Sequence, residues 1–555
     1  MVRNNEQWLT PSRRRFLSGI GATTVTVLAG CSGGESGGQG GDSTTTSGNQ
    51  QTSENDGGSQ GNTTSGNTSS DQTSQDGGGG QTTVSIGIAN GGWDLIPARD
   101  TDFDSNKVYT LIYDNIVGLN PNSEVVGNLA EDWKRESDTQ YVFNLREGAT
   151  FHNGEPFTAE DVEYTYNWIQ NNENPRKNLI SSVETVVTED DSTVRFELSE
   201  PYAPFLYKLH AIMWPLSKKA VEEQGDQYNQ NPVGTGPFEL TEWQSGDMAV
   251  LEKYDDYWKE DQPNIDRIEF DILPEDSSKT AQLESGSIDV VDRMPPQFAQ
   301  RVENSGNAKV ITTSGVSSGR VDFNTDVEPL GNRKVRRAMA WALDKQRITK
   351  TVIQGYGNPA KSILPDSFPQ YNESISDFNH PKGNPDKARQ LLSEAGYDDL
   401  SITIKTSTSS RHTRTATLMQ SMLSDIGVSA EVQSLEGNTF FSQETEGNYE
   451  VAVSNWTWFG DPDTLLYLYH TDGLNVWNID NQNLNELLEE QRRTVDQEQR
   501  REIINQIQKI VYEEAYSVYT YYPQRIQAIT NRVQGFEQYP NGSFRSLESA
   551  TVSEN

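Results

Sequence analysis

The alternation of apolar and polar residues along the chain predicts several short strands. Apolar residues occupy every second position from Val84 to Ile88. Segments 141–145 and 193–198 have a strand-like composition and are predicted to be strands too. A period of two places one set of side chains on one face of a strand, so half-buried strands are expected in the body of the chain.

Other segments repeat apolar residues every three or four positions, which is the period of an amphipathic helix. Residues 334–353 have this period, 385–395 lie between helix start and stop signals, and 482–515 read as one or two helices. Thr158 and Asp161 have the spacing of a variant capping box before a further helical run. Strands and helices of comparable number, mixed along the chain, predict an α/β protein.

The beginning of the chain is predicted to be an export signal that ends in a lipid attachment site. Residues 12–18 read SRRRFLS, a twin-arginine signature, and the apolar stretch from Phe16 to Gly30 is shorter than the roughly 20 residues of a membrane-spanning helix. The stretch ends in LAGC, which resembles a lipobox at Cys31. Residues 1–31 therefore predict a lipoprotein exported by the twin-arginine route. The alternatives are a retained hydrophobic anchor and a chance buried thiol.

Composition separates a tether from the body of the protein. Residues 32–82 contain only Gly, Ser, Thr, Gln, Asn, Asp and Glu, and such a segment buries too little apolar surface to fold. Asp and Glu number 81 against 45 Lys and Arg, a net charge of -36, which argues against a nucleic-acid partner. Acids spread through the chain are typical of an extreme halophile, the alternative being an acidic surface that recruits cationic substrates.

The single cysteine and the five histidines limit the chemistry of the chain. One cysteine excludes an intramolecular disulfide framework and any cysteine-cluster metal site. The histidines are dispersed, although His412 or His470 in a nickel or haem site stays open. We therefore expect no cofactor and no resident metal.

Short motifs follow one another through residues 83–555. The longest reads FHNGEPFTAEDV at 151–162. The others are NLAEDW at 128–133, FNLREG at 143–148, GTGPF at 234–238, DFNT at 322–325, KVRRA at 334–338, PDKAR at 385–389 and DPD at 461–463. Together, and in their order along the chain, these motifs resemble the family 5 solute-binding proteins of ABC importers, the dipeptide, oligopeptide and nickel class.

This resemblance implies a periplasmic-binding-protein-like type II fold, with two lobes joined by a hinge and an extra domain on the first lobe. Lobe I is predicted to comprise 83–120, 230–315 and 525–555, the extra domain 121–229, and lobe II 316–524. The protein would not be an enzyme. It would capture a peptide-like solute and deliver it to ABC permease and ATPase subunits, held at the extracellular face of the cell membrane by its lipid anchor. The alternative solutes are an oligosaccharide or a metal complex.

The loops that follow strands supply the predicted ligand-binding residues. They are Asn90, Trp93, Asp94, Arg411, Trp456, Trp458, Phe459 and Asp461. An arginine fork suits a carboxylate or phosphate, and aromatic rings can stack on a solute, but a solvated arginine and core aromatics are the alternative interpretations. Phe459 stands where peptide-binding relatives carry an aspartate that pairs with the peptide amine, so recognition of free-amine peptides stays open.

Three motif residues have expected structural roles, and one serine suggests a second class of function. His152 is expected to be a hydrogen-bonded corner residue, and Gly234 and Gly236 to adopt turn conformations. Ser317 lies in the sequence GVSSG, which matches a nucleophile elbow and would indicate a secreted serine hydrolase. An elbow requires a helix directly after the serine, whereas 321–323 is strand-like, which disfavours the hydrolase.

Overall fold

The computed structural model describes residues 81–553, apart from 101, 103, 173, 373, 376–380, 398 and 458–459. The predicted export signal, Cys31 and nearly all of the predicted tether lie outside these residues. The strands are β1 Thr83–Ile88, β2 Val117–Leu119, β3 Val125–Gly127, β4 Ala130–Ser137, β5 Gln140–Leu145, β6 Val183–Asp190, β7 Thr193–Leu198, β8 Phe238–Gln244, β9 Met248–Lys253, β10 Arg267–Ile272, β11 Val290–Val291, β12 Ala308–Ser314, β13 Ser317–Phe323, β14 Gly357–Pro359, β15 Leu400–Ser407, β16 Val428–Leu435, β17 Val451–Thr457, β18 Ser517–Thr530, β19 Val533–Gln534 and β20 Thr551–Val552.

The helices alternate with these strands, as expected for an α/β protein. They are α1 Ser105–Ile112, α2 Ala159–Asn171, α3 Phe205–Ile212, α4 Lys218–Gln224, α5 Asp276–Ser285, α6 Pro296–Ser305, α7 Arg333–Ala342, α8 Lys345–Val352, α9 Pro385–Ala395, α10 Ser410–Ser424, α11 Gly437–Thr445, α12 Asp463–Leu466, α13 Gln482–Arg493 and α14 Gln497–Glu514. The predicted strands at 84–88, 141–145 and 193–198 are confirmed as β1, β5 and β7.

The strands form one large mixed sheet and a separate antiparallel sheet. The order in the large sheet is β16-β15-β17-β13-β18-β11-β1-β10-β9-β8, and β12 and β14 also pair with β18. Strand β1 runs parallel to β10 and β11, whereas β13 runs antiparallel to β17 and β18. The antiparallel sheet has the order β4-β5-β7-β6 and packs with α2, and both lie within residues 121–229, the segment predicted to form the extra domain.

Strand β18 joins two lobes. Its first half pairs with β13 and β14, and its second half pairs with β11 and β12. We call the side that carries β1 and β8–β12 lobe I, and the side that carries β13–β17 lobe II. Because Ser314 pairs with Gln524, the chain crosses between the lobes twice at adjacent points, at 314–317 and at 523–524. Two adjacent extended crossings form a hinge about which the lobes can rotate.

Local capping signals set several helix boundaries. The predicted capping box is present, and Asp161 Oδ2 accepts a hydrogen bond from the Thr158 backbone at 3.0 Å. Asn384 caps α9, which ends at Gly396 in the left-handed conformation, as predicted. The helical period over 334–353 belongs to two helices, α7 and α8, because the Asp344 side chain accepts from the Arg347 backbone at 2.8 Å and starts a new helix.

The corner at Gly234 and Gly236 is formed by close packing. His152 bonds the Gly236 carbonyl through Nε2 at 3.0 Å, which agrees with its expected corner role. Neither glycine has a positive φ, so the expected turn conformation is wrong. Instead, a Cβ at either position would overlap the backbone of Ile112 at the end of α1.

Replacing Gly234 with Ala is therefore expected to lower the free energy of unfolding by about 3 kcal/mol, because a backbone carbonyl cannot move aside as a side chain does. A matched control is Gly92→Ala, since a Cβ there has its nearest contact at 4.0 Å. Thermal melts in molar KCl measure both variants. Equal melting temperatures for the two variants would contradict the packing explanation.

Candidate functional site

A cavity of about 210 Å³ lies between lobe I and lobe II, beside the hinge. We call it the interlobe cavity. Lobe I, the hinge and lobe II all contribute to its lining, which consists of Lys107, Arg293, Met294, Gly315, Val316, Ser317, Arg411, Asn455, Thr457, Pro523, Gln524, Arg525, Ile526, Pro540 and Asn541. Concave sites between two rigid bodies are the usual location of small-ligand sites, because closure buries the ligand.

On the lobe I side of the cavity, three cations share two buried carboxylates. Lys107 Nζ lies 2.5 Å from Asp292 Oδ2, and Arg525 Nη2 lies 2.5 Å from Asp292 Oδ1. Arg293 Nη2 lies 2.5 Å from Asp104 Oδ1, and Lys107 also contacts that carboxylate. Burial raises the pKa of Asp292, but Arg525, Lys107 and Arg293 together hold this pKa well below its usual range. Asp292 is thus ionised, and the carboxylates of Asp292 and Asp104 hold the three cations at the cavity wall.

On the lobe II side, Arg411 lies in the first turn of α10 and is exposed. In the part of the chain that the structure describes, its guanidinium makes no ion pair. The neighbouring His412 bonds Ser407 Oγ through Nδ1 at 2.7 Å and Asn455 Oδ1 through Nε2 at 2.6 Å. Burial lowers the pKa of His412, so the neutral imidazole donates from Nε2 to Asn455. The amide nitrogen of Asn455 is then the group available to a solute.

Trp456 lies on the face of β17 opposite to the interlobe cavity. Successive side chains of a strand point to opposite faces, and Asn455 and Thr457 line the cavity. The Trp456 ring lies 4.7 Å from the guanidinium carbon of Arg320 and packs on the lobe II core. Trp456 therefore contacts a buried cation and is not among the residues that line the interlobe cavity, and its stacking on a solute stays a prediction.

Beneath Trp456, Arg320 forms a buried charge cluster. Its guanidinium is fully buried, lies 5.1 Å from the Trp477 ring, and pairs with Asp322 and Glu444 at 3.1 Å each. One cation thus faces two carboxylates. Burial chiefly, and the charge of Asp322 in addition, raise the pKa of Glu444 to about 7, although Arg320 opposes the shift.

The predicted residues of the first loop do not line the interlobe cavity. Trp93 is buried in the lobe I core and stacks on Trp243 with ring centroids 5.8 Å apart. Asp94 pairs with Arg99 at 2.8 Å, and the Asn90 carbonyl accepts from the Trp93 indole at 2.7 Å. These contacts pack and close the loop, since an aromatic ring that suits a solute also suits a core, and ligand binding by these three residues stays a prediction.

Asp461 also has a structural partner. Its carboxylate accepts two hydrogen bonds from Arg500, at 2.6 and 2.5 Å, and both side chains are almost completely buried. This bidentate pair leaves no lone carboxylate for a solute. Trp458 and Phe459 lie outside the described residues.

Sequence reasoning selected Arg411 but missed Lys107, Arg293, Arg525 and Asn455. The four basic residues of the cavity come from widely separated segments of the chain. No local motif could reveal them, because the topology of β18 and the loops alone brings them together. The one available signal was that basic residues are scarce in so acidic a chain, which makes each of them a candidate for a specific role.

Ser317 lines the cavity but does not stand in a nucleophile elbow. Strand β13 begins at this serine and continues to Phe323, whereas an elbow turns into a helix. The hydroxyl donates to the Trp456 carbonyl at 2.9 Å. In the described part of the chain, no histidine is among the side chains that bond it. This geometry does not support the serine-hydrolase alternative.

The described residues contain no group of three or more His, Cys, Asp or Glu side chains that could hold a metal ion. His470 stacks on Tyr467 with ring centroids 4.7 Å apart, and His412 bonds Ser407 and Asn455. Within the described ranges, no helix has both the length and the apolar character needed to cross a membrane.

Known proteins are similar to this chain in fold and in sequence. Residues 124–475 match the middle region of the bacterial extracellular solute-binding proteins, family 5. The dipeptide-binding protein of Escherichia coli is 27% identical over 485 residues, covering 80% of this chain and 89% of the relative. The glutathione-binding protein GsiB of Salmonella typhimurium is 25% identical over 479 residues, covering 83% and 93%. The crystal structure of the ABC transporter substrate-binding protein CtaP from Listeria monocytogenes has a TM-score of 0.80 at 23% identity and covers 85% of this chain and 100% of CtaP. The chain belongs to family 5 of the bacterial extracellular solute-binding proteins.

Proposed function

We propose that the interlobe cavity captures a peptide-like solute, which the chain delivers to the permease of an ABC importer. The observation that carries this proposal is a cavity lined by both lobes directly beside a two-stranded hinge. A solute held by both lobes stabilises the closed arrangement, and closure changes the surface that a permease contacts. The named ligands of the two curated relatives, a dipeptide and glutathione, are both peptide-like.

Two polar contacts between lobe II and the extra domain also fit a function that depends on closure. Lys208 Nζ of the extra domain donates to Thr464 Oγ1 of lobe II at 2.8 Å. Arg493 Nε on α13 lies 3.0 Å from the Glu200 carboxylate. These contacts hold lobe II against the extra domain at a distance from the hinge. A permease could thus distinguish the closed form by the surface that lobe II and the extra domain present when they are in contact.

The test is to identify what copurifies with the full chain. The protein is purified in molar KCl, denatured, and its released small molecules are analysed by mass spectrometry. We expect one or a few peptide-like species at near-stoichiometric amounts. A released oligosaccharide or metal complex would show a different solute class. If nothing is released, and neither dipeptides nor tripeptides bind, the receptor function is wrong.

The proposal includes a lipid anchor at Cys31, which fits an extracytoplasmic receptor. Replacing Cys31 with Ser is expected to release the protein into the medium, because the thiol is the predicted lipid attachment atom. Cell fractionation and immunoblotting measure the partition. Unchanged membrane retention would contradict the anchor. Replacing Arg13 and Arg14 with Lys tests the twin-arginine route separately, and the expected result is precursor retained in the cytoplasm.

A further inference from the structure

We propose that the solute of the interlobe cavity carries two or more acidic groups and no amine that needs a carboxylate partner. This inference rests on the proposed function and specifies the chemical class of its solute. The whole chain has a net charge of -36. Yet four basic residues and no acidic residue are among the described residues that line the cavity, namely Lys107, Arg293, Arg411 and Arg525.

The charges behind the cavity wall leave an excess of positive charge. Lys107, Arg293 and Arg525 supply three positive charges, and the two carboxylates that they share, Asp104 and Asp292, supply two negative ones. Arg411 adds a further cation from the other lobe. The site therefore offers about two uncompensated positive charges, which an acidic solute would neutralise.

These cations are held in position before a solute arrives. Asp104 and Asp292 are each 2% exposed, and the Lys107 side chain is buried with them. Arg293 and Arg411 remain solvent-accessible, so their guanidinium groups can donate to a carboxylate in the bidentate geometry that arginine favours. The Asn455 amide nitrogen adds a neutral donor, since its oxygen accepts from His412.

A free amine finds no suitable partner among the described residues of the cavity. Asp104 and Asp292 are each saturated by two or more cations, and Asp461 is paired with Arg500. An ammonium group placed beside four basic side chains would be repelled by several of them. The cavity thus discriminates by repulsion as well as by attraction.

The placement of the cations also connects solute charge to closure. Arg411 belongs to lobe II, whereas Arg293 and Arg525 belong to lobe I, and all three line one cavity. Cations on facing walls resist closure of the empty lobes, and a solute with two acidic groups removes this repulsion by bridging them. Ion pairs in direct contact inside a cavity persist in high salt, although the Debye length falls to about 3 Å at 1 M.

Isothermal titration calorimetry in 2 M KCl at pH 7.5 tests the proposal with three probes on the refolded, ligand-free full chain. N-acetyl-Asp-Glu has three carboxylates, N-acetyl-Asn-Gln has nearly the same shape with one, and Ala-Ala has a free amine. We expect N-acetyl-Asp-Glu to bind at least 10-fold more tightly than either of the others. Equal or tighter binding of Ala-Ala would overturn the acidic-solute proposal and leave the receptor function intact. If no probe binds, and no acidic solute is released from the native protein, the proposal is also wrong.

Arg411→Gln provides the variant test. We expect it to weaken N-acetyl-Asp-Glu at least 10-fold and N-acetyl-Asn-Gln much less, with an unchanged thermal melt, because Arg411 is exposed and makes no ion pair in the described structure. Arg414→Gln is the matched control, since Arg414 lies on the same helix, is also exposed and does not line the cavity. The same loss of affinity in both variants would overturn the assigned role of Arg411.

Discussion

Replacing Arg500 with Met is expected to lower the free energy of unfolding by about 3–5 kcal/mol. The guanidinium of Arg500 donates to both carboxylate oxygens of Asp461, at 2.6 and 2.5 Å, and to Gln491 Oε1 at 2.9 Å. Without Arg500, the Asp461 carboxylate remains buried and has no ion-pair partner among the described residues. Removing one partner of a buried pair costs more than the pair itself contributes, because the remaining charge keeps its desolvation penalty.

The control for this experiment is the next residue in the chain. Arg501 pairs with Glu498 at 2.6 Å, but both side chains are largely exposed, so Arg501→Met should change stability by less than about 1 kcal/mol. Denaturant unfolding of the ligand-free proteins in molar KCl measures both changes. A stable Arg500→Met protein that has lost its solute would show instead that Asp461 serves the solute, as the sequence predicted.

The Glu444→Gln variant is expected to lose a pH dependence of stability. The pKa of Glu444 is about 7 in the folded protein against an ordinary value of 4.5. Between these values the folded protein holds a proton that the unfolded chain releases, so stability falls as pH rises through this window. The fall amounts to about 1.4 kcal/mol per pH unit, or about 3 kcal/mol in total.

Since Gln does not titrate, the difference in unfolding free energy between variant and wild type should shift in favour of Glu444→Gln by about 3 kcal/mol from pH 4.5 to 7.5. Gln also retains an oxygen that can accept from Arg320, so the variant should fold. Denaturant unfolding at several pH values measures this difference, in which other titrating groups cancel. Glu446→Gln is the exposed control on the same segment. A difference that stays constant with pH would show that folding leaves the pKa of Glu444 at its ordinary value.

Much of the fold could be predicted because the relevant signals are local. Alternation predicted β1, and the side chains of Thr158 and Asn384 predicted two helix starts, since a cap acts on backbone groups within three residues. The break at Asp344 was missed because the apolar period continues through it. Gly234 was placed correctly at a corner for the wrong physical reason, because its constraint comes from a distant helix.

The candidate site could be predicted only in part. Trp93 and Trp456 have the composition of a ligand wall, but the same rings fill a core or cover a buried cation, and packing alone decides which. The partner of Asp461 is Arg500, which lies 39 positions later in the sequence, and no motif joins the two residues. Arg411 was chosen for its chemistry, and the fold then brings it to the interlobe cavity.

The sequence by itself determined the family, the α/β class and the local starts of strands and helices, because near neighbours and ordered motifs carry that information. The tertiary structure alone decided which charges compensate one another and which face the cavity. Charge partners are selected by proximity in space, and the crossing of β18 between the lobes sets that proximity. An acidic chain could therefore enclose a basic cavity that its composition does not reveal.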